Sequence, residues 1–265
     1  MFYPIRVVVV SMIMGSFLAV YPGGLAADDS ARPFVPGEKL TFDLKWGGIG
    51  AGKAVLQVLP MTTLNGVEAY RFEVTARTNK GIDRIFKIRD RLESFADINM
   101  IHSLLYKQKI REGEYRKDRV ITFDWKKNEL EYISNKGTPK YVPIMPGTFD
   151  PLAAFYFLRL QPFQVSAKIE CPITDGKINV IGRVNILRRE KVQVGDITYD
   201  TYVLEPIMDD VELFSSNADS NIRVWVTADP RRIPVLVKSR VTFGTFKAEL
   251  RKIERVPVPQ IPAEK

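Results

Sequence analysis

Few residues in this chain have types and spacings that could do chemistry. The first group is Gly47-Gly48-Ile49-Gly50-Ala51-Gly52-Lys53-Ala54, one residue short of a phosphate-cradling loop. Such a loop needs a hydroxyl after the lysine to hold Mg²⁺, and a helix whose N-terminus faces the phosphates. Ala54 has no hydroxyl, and the following Val55–Pro60 run reads as a strand stopped by proline. The stretch is therefore expected to be a glycine-rich hairpin whose turn uses positive φ, and a nucleotide site is rejected. His102 is the only histidine, which excludes a multi-histidine metal site and the zinc-protease helix motif. As a lone base it lacks a partnered nucleophile, so a plain strand-start role is expected. Cys171 is the only cysteine and sits in apolar Ile169–Ile173, the setting of a buried, inert thiol. Asp209, Asp210, Glu212 and Asp219 gather in a Ser/Asn-rich stretch. Their oxygens could hold Ca²⁺, but the spacing matches no EF-hand loop and a solvated connection is the simpler reading. No Gly-x-Ser-x-Gly elbow and no Ser-x-x-Lys pair is present. The expectation is a protein that is not an enzyme, with no cofactor and no metal.

Cations are the other chemical resource. The chain carries a net charge of +8 with 39 Lys and Arg against 31 Asp and Glu. They concentrate between Arg77 and Arg91, around Arg183–Lys191, and beyond Pro230. A basic protein is suited to phosphate-bearing lipid, lipopolysaccharide or anionic glycan through sequence-independent Coulomb attraction. Arg89, Arg91, Arg231, Arg232 and Arg251 are the expected basic rim of such a site, although alternating charges on strands are often only solubilising.

Position and compartment follow from the elements around these residues. Arg6, an apolar run from Val7 to Val20, a Pro22-Gly23-Gly24 break and the small pair Ala26-Ala27 have the layout of a cleavable secretory signal over residues 1–27. The run is short for a permanent membrane span, so no stable membrane insertion is expected once it is removed. Export to the periplasm takes the chain away from nucleotides and nucleic acid. A single cysteine leaves no intramolecular disulfide, and none stands at the signal exit to be acylated. Stability must come from the core, and about 238 residues after the signal are ample for one.

Segment after segment alternates with period two: Leu40/Phe42/Leu44/Trp46, Tyr70/Phe72/Val74/Ala76, Ile121/Phe123/Trp125 and Phe246/Ala248/Leu250. This is the pattern of strands with one wet face and one buried face. Asn65-Gly66, Asn135-Lys136-Gly137, Asp175-Gly176 and Gly195-Asp196 supply hairpin turns. About twelve strands result, so the fold class is all-β: a large curved antiparallel sheet or open barrel with one short helix. Asp150-Pro151 starts that helix as N-cap and first position, and it ends before Pro162. It divides a single β-rich domain (28–255) into halves of about 34–145 and 163–255. Residues 256–265 form a Pro-rich flexible tail. Strands this many and this one-sided must curl, giving a concave apolar inside. Trp46, Phe72, Phe123, Trp125, Phe155 and Trp225 are the candidate groove-lining residues, drawn from 15 Phe, 10 Tyr and 3 Trp.

The order of several stretches resembles a bacterial exported-protein family catalogued as domain of unknown function 3108. They are Pro36-Gly37-Glu38 running into Trp46-Gly47-Gly48, Arg89-Asp90-Arg91-Leu92-Glu93-Ser94-Phe95, the Asp150-Pro151 helix, Ile222 through Asp229, Arg232-Ile233-Pro234 and Gly244–Leu250. The resemblance covers most of residues 34–253. It implies an exported β-rich protein, and an architecture like the periplasmic lipoprotein-carrier half-barrels. It carries over no catalytic residue.

Three functions are compatible with these observations. The first is a non-catalytic periplasmic protein binding or carrying a hydrophobic or anionic envelope ligand: lipid, glycolipid or lipopolysaccharide. The second is an envelope module with a filled core that meets a protein or glycan partner through its basic face. The third is a hydrolase with an unrecognised carboxylate site at Asp209, Asp210 and Glu212.

Overall fold

The computed structural model describes residues 32–207, 221–241 and 244–256. The expected signal at 1–27, the tail from 257 and the acidic residues Asp209, Asp210, Glu212 and Asp219 lie outside them. The alternating runs become fourteen strands in a single antiparallel sheet. The first meander is β1 (Glu38–Trp46), β2 (Ile49–Leu64), β3 (Val67–Thr78), β4 (Arg89–Asp97), β5 (Ser103–Glu112), β6 (Tyr115–Asp124), β7 (Glu129–Ser134) and β8 (Lys140–Pro143). After helix α1 (Pro151–Leu160) comes the second: β9 (Lys168–Thr174), β10 (Asn179–Val194), β11 (Ile197–Ile207), β12 (Asn221–Thr227), β13 (Pro234–Val241) and β14 (Gly244–Arg255). The count exceeds a dozen because pieces such as β8, four residues long, are too short to show a period.

The strand order is β8-β7-β6-β5-β4-β3-β2-β1-β14-β13-β12-β11-β10-β9. Two meanders are thus joined through β1 and β14, whose register runs from Glu38↔Arg255 to Trp46↔Phe246. β8 and β9 are left as edges, so the sheet is open rather than a closed barrel. It is nevertheless rolled. Arg119 in β6 donates to the carbonyl (3.0 Å) and carboxylate (3.3 Å) of Asp175 in the β9–β10 turn, from the far end of the strand order. Gly176 of that turn, at φ +91°, lies so close to β6 and β7 that an added methyl would sit 2.4 Å from the Tyr132 ring. Phe149, just before α1, bridges to Ile173 and fills part of the gap between the edges.

The hollow made by rolling is occupied. Asp150 caps α1, its Oδ1 accepting from the N–H groups of Leu152 (2.9 Å) and Ala153 (3.1 Å). Leu152, Phe155, Tyr156, Leu158 and Arg159 are all buried, so the helix is enclosed nearly all round rather than on one stripe. The Tyr156 ring stacks on Phe72 of β3 at 3.8 Å, and Phe34 meets Tyr70, Phe72 and Tyr156 edge-on. Full burial of such a ring contributes about 1.5–3 kcal/mol from area alone, with about 0.5–1.5 more for aromatic geometry. The plug is therefore a principal source of stability in a chain that has no disulfide.

Candidate anion-binding face

Rolling divides the side chains into an inner set facing α1 and an outer set. The outer set is read from register. Arg223 of β12 pairs with Lys238 of β13, Lys238 with Lys247 of β14, and Lys247 with Lys45 of β1. Four cations therefore stand side by side across four strands. One step along, Lys53 of β2 pairs with Arg77 of β3, and Arg77 with Arg89 of β4. Like charges directly opposite each other destabilise a sheet, so folding alone gives no reason for these two rows. Lys53, Arg77 and Lys247 have no ion pair with any described residue. Lys45 meets Glu249 at 2.5 Å, Arg223 meets Glu205 at 3.6 Å, and Lys238 lies 4.8 Å from the Trp225 ring centre.

Where the rows meet there is a cleft of about 360 Å³ lined by Asp43, Lys45, Gly50, Gly52, Lys53, Arg77, Thr78 and Asn79. The glycine-rich stretch that imitates a nucleotide loop forms one wall. Gly47 (φ +55°) and Gly48 (φ +88°) make the β1–β2 turn, and β2 begins at Ile49 with no helix following. Gly52 is required by packing, because a methyl there would sit 2.1 Å from the Arg77 carbonyl oxygen. Asn79 ties the opposite wall down, donating its Nδ2 to the Gly50 carbonyl at 2.6 Å. The result is a shallow cationic recess on a rigid sheet, suited to a phosphate or carboxylate group through charge and N–H donors.

The expected rim residues are not one rim. Arg89, Arg91 and Arg251 share the outer face, but each has an acidic neighbour. Arg89 holds Asp83 at 2.6 Å and keeps that carboxyl down at about 2; Arg91 meets Glu73 at 2.5 Å; Arg251, 72% exposed at its side chain, reaches Asp43 at 4.0 Å. Arg231 and Arg232 lie in the β12–β13 turn, at the opposite end of the strands from the cleft. Arg231 pairs with Asp229 at 2.7 Å, and Arg232 donates to the Arg159 carbonyl beneath the Phe163 ring. Both are absorbed in holding the end of α1.

The groove candidates are also dispersed. Trp46 stacks on Phe246 at 5.5 Å at the end of β1, Phe72 and Phe155 belong to the plug, and Phe123 stacks with Trp125. Trp125 donates its Nε1 to the Ser103 carbonyl at 2.8 Å, under the ring of His102. Trp225 does not share their side. It alternates with the inner Ile222, Val224 and Val226, and its Nε1 donates to Glu190 at 2.8 Å beneath Lys238. Burial lowers the pKa of His102 and so favours its neutral form, and Cys171 is a buried thiol outside any disulfide.

Sequence reasoning named Asp150 as the helix cap but missed how deeply it, Arg159 and Asp90 are buried. Arg159 is fully buried, with Nη1 donating to Glu38 at 2.5 Å and Nη2 to the carbonyls of Pro33 and Arg231. Burial raises the Asp150 carboxyl to about 6, although Ser94, Ser103 and two helix N–H groups donate to it. Asp90 is likewise raised to about 6 by burial, while accepting from the Arg111 N–H and sharing a hydrogen bond with Glu112. Asp150 caps the helix and Arg159 ties it to the sheet; neither faces the cleft. Among the described residues no cluster of His, Cys, Asp and Glu is arranged to hold a metal ion.

A family model described as protein of unknown function, DUF3108, matches residues 41–251. The chain belongs to the DUF3108 family. Comparison with curated proteins gives no match. Among solved structures, a β-barrel-like protein of domain of unknown function DUF1849 from Brucella abortus aligns with a TM-score of 0.54 and 11% identity, over 83% of this chain and 98% of that one. The hypothetical protein CT021 from Chlamydia trachomatis aligns with a TM-score of 0.35 and 9% identity, over 87% and 93%. The first of these likenesses is one of fold: a rolled, largely antiparallel sheet.

Proposed function

We propose that this chain is an exported, non-catalytic protein of the bacterial envelope that binds a phosphate-bearing ligand on its outer face. The observation that carries the reading is the pair of cross-strand rows, Arg223–Lys238–Lys247–Lys45 and Lys53–Arg77–Arg89, meeting at a cleft. Export rests on the layout of residues 1–27. The outer face is preferred to the hollow because α1, Phe34 and the Gly176 turn fill the centre of the inner side. A phosphorylated envelope glycan matches a row of cations spaced by adjacent strands, about 5 Å apart, better than a single small anion does. Calorimetric titration of the purified protein with the soluble phosphorylated core oligosaccharide of lipopolysaccharide tests this. Binding should weaken with salt and fall at least about tenfold in Lys238→Glu/Lys247→Glu. Undiminished affinity in that variant, or no binding at low salt, overturns it.

A further inference from the structure

The end of the sheet that carries the cleft also carries its two most exposed isoleucines. Ile49, at the start of β2 beside the β1–β2 turn, is 70% exposed, and Ile85, in the β3–β4 connection, is 75% exposed. A single exposed isoleucine is ordinary. These two sit on neighbouring connections bound together by Asn79, whose backbone N–H donates to the Ala51 carbonyl at 2.9 Å as its side chain holds Gly50. The ground around them is cationic. Lys53 and Arg77 line the cleft with one carboxylate, Asp43, which Arg251 approaches at 4.0 Å, and Lys80, Arg84 and Lys87 follow in the β3–β4 connection. None of the five forms a salt bridge with a described residue, and the one carboxylate within the connection, Asp83, is taken by Arg89.

Apolar tips rising from an unpaired cationic ground are what a peripheral protein needs to seat on an anionic bilayer. The cations meet the phosphates while the tips enter the boundary between headgroups and acyl chains. We propose that this end of the sheet docks on an anionic lipid surface, the cleft receiving a headgroup phosphate between Lys53 and Arg77. This rests on the phosphate-binding reading above and extends it from a ligand to a surface. The β1–β2 and β3–β4 connections point the same way because the strands are antiparallel: the end of β1 and start of β2, and the end of β3 and start of β4, lie together.

Co-sedimentation of the purified protein with two kinds of vesicle tests the proposal: phosphatidylcholine alone, and phosphatidylcholine mixed with phosphatidylglycerol. Binding is expected to the anionic vesicles only, weakening with salt. Lys53→Gln/Arg77→Gln should lower the partition by about twenty-five-fold, on the order of fivefold per cation. Ile49→Ser/Ile85→Ser should lower it by about tenfold while leaving the salt dependence unchanged. All four positions are exposed, and an unchanged circular dichroism spectrum certifies the fold. Equal binding to both vesicles, or a partition that neither pair of substitutions alters, overturns the proposal. If vesicles fail to bind while the oligosaccharide still binds and is lost in Lys238→Glu/Lys247→Glu, lipid docking alone falls. If both fail, the phosphate reading falls with it.

Discussion

Inside the roll, cations are matched; at one end of its outer face, they are not. Arg159 meets Glu38 and two carbonyls, and Arg119 meets Asp175. Outside, Lys53, Arg77 and Lys247 form no ion pair with a described residue and stand beside other cations, with Asp43 the one carboxylate directly opposite Lys53. The inner arrangement is forced, since an unpaired charge away from water costs several kcal/mol. Water screens the outer charges, so folding does not decide where they go. Nor does the sheet's geometry prevent pairing there: farther along β3 and β4, away from the cleft, Arg71 pairs with Glu93 and Arg91 with Glu73 on the same face. The difference separates charges that hold the fold from charges free to serve a ligand.

The largest expected effect tests the inner half of this contrast. Arg159→Ala leaves Glu38 buried without its partner and should destabilise the protein by about 3–5 kcal/mol, read as a drop in the urea midpoint. A paired replacement, Arg159→Met with Glu38→Leu, removes both charges and should recover most of that loss. If the single variant unfolds at the parent's midpoint, the ion pair is not holding α1. Phe72→Ala, which removes the ring under Tyr156, should cost about 3–5 kcal/mol by a different route, the cavity it leaves.

Much of this was legible in the chain and some was not, for reasons that can be named. β1, β3 and β14 declare themselves because one face is apolar and the other is not. The start of α1 follows from Asp150-Pro151. Trp225 could not be assigned a side, because β12 is buried on both faces and its apolar run Val224-Trp225-Val226 has no parity. Arg159 reads as a surface residue in a short helix until the whole helix is found enclosed. The cationic rows depend on the pairing of seven strands, including β1 with β14, which are some two hundred residues apart. Bulges at Thr41/Phe42 and Leu44/Lys45 also shift that register, and a one-residue slip would send each side chain to the other face.

Acidity sharpens the same inside–outside contrast. Asp90 has a folded pKa of about 6 because burial disfavours its charge, against about 3.9 in an unfolded chain. A carboxyl raised in this way holds its proton more tightly when folded. Its stabilising contribution is therefore present below about pH 4 and lost as pH rises through about 6, by about 3 kcal/mol in all. Asp150 acts in the same direction over the same window. Asp83, on the exposed side and held at about 2 by Arg89, acts oppositely and only below about pH 4. Asp90→Asn mimics the protonated group and keeps an acceptor for the Arg111 N–H. It should be more stable than the parent at pH 7 and show a shallower fall in Tm between pH 4 and pH 7. Parallel Tm curves for the two proteins would mean that Asp90 does not titrate in that window.

The smallest effect discriminates most finely between the two kinds of charge. Lys247 lies between Lys238 and Lys45, so Lys247→Glu exchanges two repulsive cross-strand neighbours for two attractive ones. Each such exposed pair is worth about 0.2–1 kcal/mol, reduced here because Lys45 already holds Glu249 and a new glutamate would crowd that carboxylate. The net change should be a gain of a few tenths of a kcal/mol, seen as a slightly higher urea midpoint at low salt that vanishes at high salt. The same substitution should weaken oligosaccharide binding several-fold. A variant that gains stability while losing affinity identifies a residue kept for the ligand; one that loses both would place Lys247 with Arg159, among the charges that build the sheet.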